Sequence, residues 1–169
     1  MTPIVKEPNP LLHQKAKPVS RITEEILRLI ETMIETMHAA RGVGLAANQI
    51  GSARAILVAS PDGGRGKELV LINPSMVKLE GQETSPEGCL SLPGISSDVT
   101  RAARITVSGL DRTGKRITLK ADKLLAKILQ HEVDHLNGRL FVDRVGRWKR
   151  QGLLKEYASV SQTLRRVKI

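Results

Sequence analysis

From Thr23 onward, apolar residues recur at three- and four-residue intervals: Ile26, Leu29, Ile30, Met33, Ile34 and Met37. That spacing places them on one face of a helix. Thr23 suits the N-cap, Glu24 and Glu25 put negative charge where the helix dipole favours it, and Gly42-Val-Gly44 marks the stop. Ahead of the helix, Pro3, Pro8, Pro10 and Pro18 fix φ and lack a donor, which predicts an extended, irregular lead-in. Between Ala53 and Ala121 the period shortens. Runs at 53–59, 68–72, 75–79, 105–110 and 116–120 read as strands, parted by turn residues such as Pro61-Asp-Gly-Gly-Arg-Gly66 and Asp111-Arg-Thr-Gly114. Such short connections predict antiparallel pairing. A second helix is expected from an Asp122 N-cap to an Asn137-Gly138 stop, and a third, amphipathic one carries Leu153, Leu154, Tyr157, Val160 and Leu164. Helices around a block of strands make the fold class α+β: antiparallel strands about a central helix, with an N-terminal helix and a C-terminal amphipathic one.

The length, 169 residues, fits a single domain spanning 1–169. No apolar run reaches membrane-spanning length, the start has no apolar leader, and one cysteine rules out an internal disulfide. A cytoplasmic protein without a membrane partner is the expectation. The formal charge of +10 favours polyanionic partners. Aromatics at 2% leave little material for stacking on bases, so any nucleic-acid contact is expected to be with phosphates and without sequence readout.

The second helix contains His131-Glu132-Val-Asp134-His135. Two His four residues apart share a helix face and can reach one ion, and Leu124 and Ile128 continue that face as an apolar stripe. Glu132 stands one step away, able to address a water on the metal without binding it. An open catalytic site needs a third protein ligand. Cys89 is a candidate, although a lone cysteine is also a common small core residue. It stands in Glu87-Gly-Cys-Leu-Ser-Leu-Pro93, which reads as a turn-like segment between strand runs.

Three separated blocks, Gly42-Val-Gly-Leu-Ala-Ala-Asn-Gln49, Glu87-Gly-Cys-Leu-Ser91 and Gln130-His-Glu-Val-Asp-His135, resemble the peptide deformylase family in order and spacing. The resemblance implies hydrolysis of the N-terminal formyl group from formyl-methionyl nascent chains. It implies Cys89, His131 and His135 as metal ligands, Glu132 as general acid/base, and Gln49 with the Leu90 amide as donors to the formyl oxygen. The 42–44 stretch would pair with the substrate backbone. The working metal of the family is ferrous iron, replaceable by zinc, nickel or cobalt; the spacing of the ligands distinguishes none of these. Val43, Gly44, Leu124 and Ile128 are candidates for the substrate site, with plain core packing as the alternative for the apolar three. Glu87 and Arg101 could pair to brace the cysteine segment, or be an exposed pair of no consequence. Asp134 is either an orienting carboxylate or an ordinary surface acid. Ser96 and Thr100 depart from the family pattern, which carries a basic or bulky residue and a proline there.

A metal-dependent endopeptidase would use the same helix, but leaves Cys89 and the 42–49 block without a role. A basic RNA-binding protein with a structural ion would want a fourth protein ligand. Residues 147–169 hold Arg147, Lys149, Arg150, Lys155, Arg165, Arg166 and Lys168 against Glu156 alone, or +6 of the chain's +10. They suggest a weak, salt-sensitive ribosome contact through the last helix, with a merely solvated face as the alternative.

Overall fold

The computed structural model describes residues 2–166, with side chains through Thr163. Helix α1 spans Glu24–Ala39 and is capped by Thr23, whose side chain accepts from the Ile26 amide at 3.4 Å. Five antiparallel strands follow in the spatial order β1-β2-β3-β6-β7: Gly44–Ala46, Ile56–Ala59, Leu69–Glu80, Arg104–Leu110 and Arg116–Asp122. Strands β4 (Glu83–Cys89) and β5 (Leu92–Arg101) form a separate hairpin. Helix α2 covers Lys123–Leu136 and α3 covers Arg147–Arg166. This is the expected α+β arrangement.

The period-two alternation of β2 determines which helix lies on which side of the sheet. Ile56 and Val58 pack with α1 residues Ile30, Met33 and Met37, whereas Leu57 and Ala59 pack with α2 residues Ala126 and Leu129. Helix α2 thereby lies against β1, β2 and β7 with its motif end turned toward the hairpin. A third cluster joins Leu92, Ile95 and Val99 of β5 to Phe141, Leu153 and Tyr157. Burial of each such side chain stabilises by about 1.5–3 kcal/mol. Helix α3 therefore packs on the hairpin, with Val160 close enough to fill the space a Cβ on Gly94 would need.

Several local expectations change. The runs at 68–72 and 75–79 are one strand, interrupted in register at Asn73-Pro74, because Pro74 cannot donate and Asn73 adopts φ 52. The first strand run begins at Ile56 rather than 53. The lead-in contains a 3-10 turn at Pro10–His13. Asp122 occupies the N-cap of α2 without a side-chain capping bond. The segment around Cys89 is two paired strands with Leu90 and Ser91 at the tip, not a loop between strands. In β5 the inward positions include Ile95, Ser97, Val99 and Arg101, a polar-apolar mixture that hides the alternation. Ser96 pairs with Gly88 in the ladder, and the Thr100 hydroxyl is 2.8 Å from that of Thr84. Of the basic tail, Lys168 lies outside the described residues, as do the side chains of Leu164, Arg165 and Arg166. Among the described residues, no helix is long and apolar enough to cross a membrane.

Candidate metal centre

Helix α2 projects His131 and His135 from successive turns, and the β4–β5 hairpin brings Cys89 up to them. Cys89 Sγ lies 3.2 Å from His135 Nε2, which lies 3.2 Å from His131 Nε2. Ligand atoms on a tetrahedral ion with bonds of about 2.1 Å stand roughly 3.4 Å apart along each edge. The three donors thus converge on one point at nearly the separation an ion requires, and their chemistry, one soft sulfur and two imidazoles, suits a divalent transition metal. Burial alone would raise the Cys89 thiol, but the two imidazoles beside it pull it well below its ordinary value. A thiolate is the form that ligates.

Glu132 sits on the same turn, 4% exposed. Burial raises its carboxyl above the ordinary range, and among the described residues Oε2 has no hydrogen-bond partner. A buried, unpartnered carboxylate oxygen is costly, which points to a group that enters the site to meet it. Gly44 makes room for this carboxylate. A Cβ there would stand 2.5 Å from Glu132 Oε1 and 2.7 Å from Ile128 Cγ2. The close approach is why β1 begins with glycine.

Gln49 is buried in the 3-10 turn after β1. Its Oε1 accepts from the Ala46 amide at 2.9 Å, and its Nε2 donates to Ser91 Oγ at 3.2 Å, with Cys89 Sγ 3.7 Å away. The amide group is thereby oriented with its NH2 end toward the cysteine. Leu90, at the hairpin tip, lines the same groove, a cavity of about 430 Å³ that also takes in Val43, Gly44, Gln49, Leu124, Ile128, His131 and Glu132. Leu124, 48% exposed, and Val43, 39% exposed, belong to the groove wall rather than the core, while Ile128 is buried beneath them. The stripe expected to face the core therefore opens onto the groove at its N-terminal end.

Behind the ligands runs a charged chain. His131 Nδ1 is 3.1 Å from Glu87 Oε2. Arg101 donates to both Glu87 oxygens, at 2.7 and 2.9 Å, and through Nη1 to Asp134 at 2.5 Å. Arg144 closes the chain by donating to both oxygens of Asp134. Burial would raise Glu87, but the Arg101 guanidinium and His131 hold it at about 2. Asp134 is likewise lowered, against its burial, by Arg144 and Arg101. The pairing of Glu87 with Arg101 is thus buried and bidentate, and Asp134 is no surface acid. Sequence reasoning singled out neither Arg144 nor Ser91. It also missed Asn48, whose Nδ2 donates to the His135 carbonyl at 2.6 Å and ties β1's end to α2.

The family model for polypeptide deformylase matches residues 1–151. A peptide deformylase of Halothermothrix orenii is 50% identical over 140 residues, 82% of this chain and 90% of that protein. One of Symbiobacterium thermophilum is 50% identical over 141 residues, 83% of this chain and 65% of that longer protein. The crystal structure of a peptide deformylase from Legionella pneumophila superposes with a TM-score of 0.94 at 40% identity, covering 98% of both chains.

Proposed function

This chain belongs to the polypeptide deformylase family, and from that premise we propose that it hydrolyses the formyl group from the N-terminal methionine of nascent polypeptides, acting as one catalytic domain. The observation that carries the reading is the convergence of Cys89 Sγ, His131 Nε2 and His135 Nε2 beside an unpartnered Glu132 carboxylate, in a groove wide enough for a peptide end. Those three residues would hold one divalent metal, which we assign as ferrous iron, with zinc, nickel or cobalt able to replace it. When bound, the metal acidifies water and polarises the formyl carbonyl.

The chain's own groups do the rest. Glu132, with its carboxyl raised by burial, takes a proton from the attacking water and delivers it to the methionine nitrogen as the C–N bond breaks, leaving formate and a free amine. Gln49 Nε2 and the Leu90 amide donate to the formyl oxygen as it gains charge; one such donor contributes about 3–4 kcal/mol in the transition state. Ser91 and the Ala46 amide keep Gln49 in that orientation. Among the described residues β1 pairs with a strand on one side only, and although the Ala46 amide is taken by Gln49, the other edge at Gly44 is available to pair with the substrate backbone. Val43, Leu124 and Ile128 would receive the methionine side chain while Gly44 meets the substrate backbone, and Glu87 with Arg101 would fix the ring of His131. A thiolate ligand is consistent with work in the reducing cytoplasm.

The cations of α3 complete the reading. Arg147, Lys149 and Lys155 are exposed, while Leu153 and Tyr157 pack inward, so the helix can offer charge to ribosomal phosphate without unfolding. Reversing Lys149 and Lys155 to Glu is expected to weaken co-sedimentation with ribosomes at low salt. The enzymatic reading is tested by offering metal-loaded protein a formyl-Met tripeptide and an unformylated peptide with internal bonds. Formate release from the first alone supports deformylation, and internal cleavage of the second would replace it with endopeptidase activity.

A further inference from the structure

Helix α1 ends with the Gly42 amide donating to the Met37 carbonyl at 2.9 Å, which puts Arg41 in the left-handed position after the C-cap, at φ 55. Glycine is the residue of choice there, because any Cβ is strained in that conformation. Arg41 is therefore retained against its backbone preference. Its side chain is exposed and lines the groove, immediately before the Gly42–Gly44 stretch. Among the described residues, no acid pairs with it. The other charged groups lining the groove are spoken for: Glu87 by Arg101 and His131, Glu132 by its burial, and Lys127 by Glu83 at 2.7 Å. The accessible charge of the groove beyond the metal centre is positive, and Arg41 is its main source.

Resting on the deformylase reading, we propose that Arg41 is a specificity-determining residue that favours acidic side chains shortly after the formylated methionine. A substrate whose formyl end lies at the Cys89, His131 and His135 cluster, and whose backbone runs along β1 toward Gly42, presents its second or third residue to Arg41. Arg41 contributes no proton and no bond to the reaction; its effect is Coulombic, at an exposed position, and screened by salt.

The test compares kcat/KM for formyl-Met-Asp-Ala, formyl-Met-Lys-Ala, formyl-Met-Ala-Asp, formyl-Met-Ala-Lys and the neutral formyl-Met-Ala-Ala. The parent is expected to prefer Asp over Lys at one of the two positions by about fivefold at low salt, the size of one exposed charge pair. In Arg41→Gln that ratio is expected to fall toward one. Arg41→Gly supplies a second variant that relieves the backbone, so it is expected to melt higher than the parent while losing the same preference. Lys155→Gln removes an equal charge on α3, away from the groove, and controls for the general field of a +10 protein. An unchanged Asp/Lys ratio at both positions in the Arg41 variants would overturn the proposal. So would an equal fall in Lys155→Gln. Absence of turnover on formyl-Met-Ala-Ala by the parent would instead strike at the deformylase reading itself.

Discussion

Replacing Arg101 by Met removes a guanidinium that holds two buried carboxylates while keeping most of the side chain's bulk. Arg101 is 3% exposed in its side chain, Glu87 is 9% and Asp134 6%, so neither acid can turn to water when Arg101 is lost; Asp134 keeps Arg144, and Glu87 keeps only the His131 ring. Breaking a buried pair in this way costs about 3–5 kcal/mol. A second route bounds the Glu87 share. Glu87 is held at about 2 against an ordinary 4.5, roughly 3 kcal/mol of folding stability, by Arg101 and His131 together, with Arg101 the larger contributor. The sign follows from the direction of that displacement. A carboxylate with a depressed value in the folded state contributes fully above 4.5, and the contribution is lost as pH falls from 4.5 toward 2. Asp134, also lowered, acts in the same sense. Urea unfolding of metal-free parent and R101M at a series of pH values reads this directly. The destabilisation is expected to be about 3 kcal/mol or more at pH 7 and to shrink as pH falls below 4.5. A gap under 1 kcal/mol at pH 7, or one that stays constant into acid, would refute a buried ion pair as its origin.

Glu132→Gln is expected to retain the metal and lose about 10²–10⁴-fold in kcat, read as turnover at matched metal content. Gly44→Ala would press a methyl against Glu132 and Ile128, where contacts of 2.5 and 2.7 Å must be relieved, and a displacement of that order is expected to cost about 100-fold in kcat. Ser91→Ala releases Gln49 Nε2, so it is expected to lower kcat more than it raises KM, in steady-state assays of a formyl tripeptide. Formyl-Met substrates should outrun formyl-Asp ones by a large factor in kcat/KM, because a carboxylate against Leu124 and Ile128 would find no partner.

The helices were legible because their apolar positions repeat at 3.6 and their ends carry Thr23 and Asn137-Gly138. His131 and His135 were legible for the same reason, since a four-residue spacing fixes their direction without knowledge of the fold. Their third partner was a candidate by residue type and was implied by the family resemblance, but the strands that deliver it were hidden. Cys89 reaches them through a hairpin whose strands contain Pro86, Gly88, Pro93 and Gly94, residues that read as turns and disguise strand pairing. Arg144 belongs to a 3-10 turn ten residues beyond Asp134, and only tertiary packing turns it back. Ser91 is an ordinary serine until the hairpin tip brings it to Gln49. Arg41, by contrast, stands next to the glycines that were noticed, and what marks it is a backbone angle that sequence does not carry.

In the proposed reaction Cys89, His131 and His135 together hold the metal on which formate release depends. Protein purified without oxygen, together with its Cys89→Ala and His135→Ala variants, can be assayed for bound divalent metal per chain and for formate released from formyl-Met-Ala-Ala. One ion per chain in the parent is expected, with metal and turnover lost together in both variants and in chelator-treated parent. Full turnover by a chain stripped of metal, or a full complement of metal in Cys89→Ala, would contradict it.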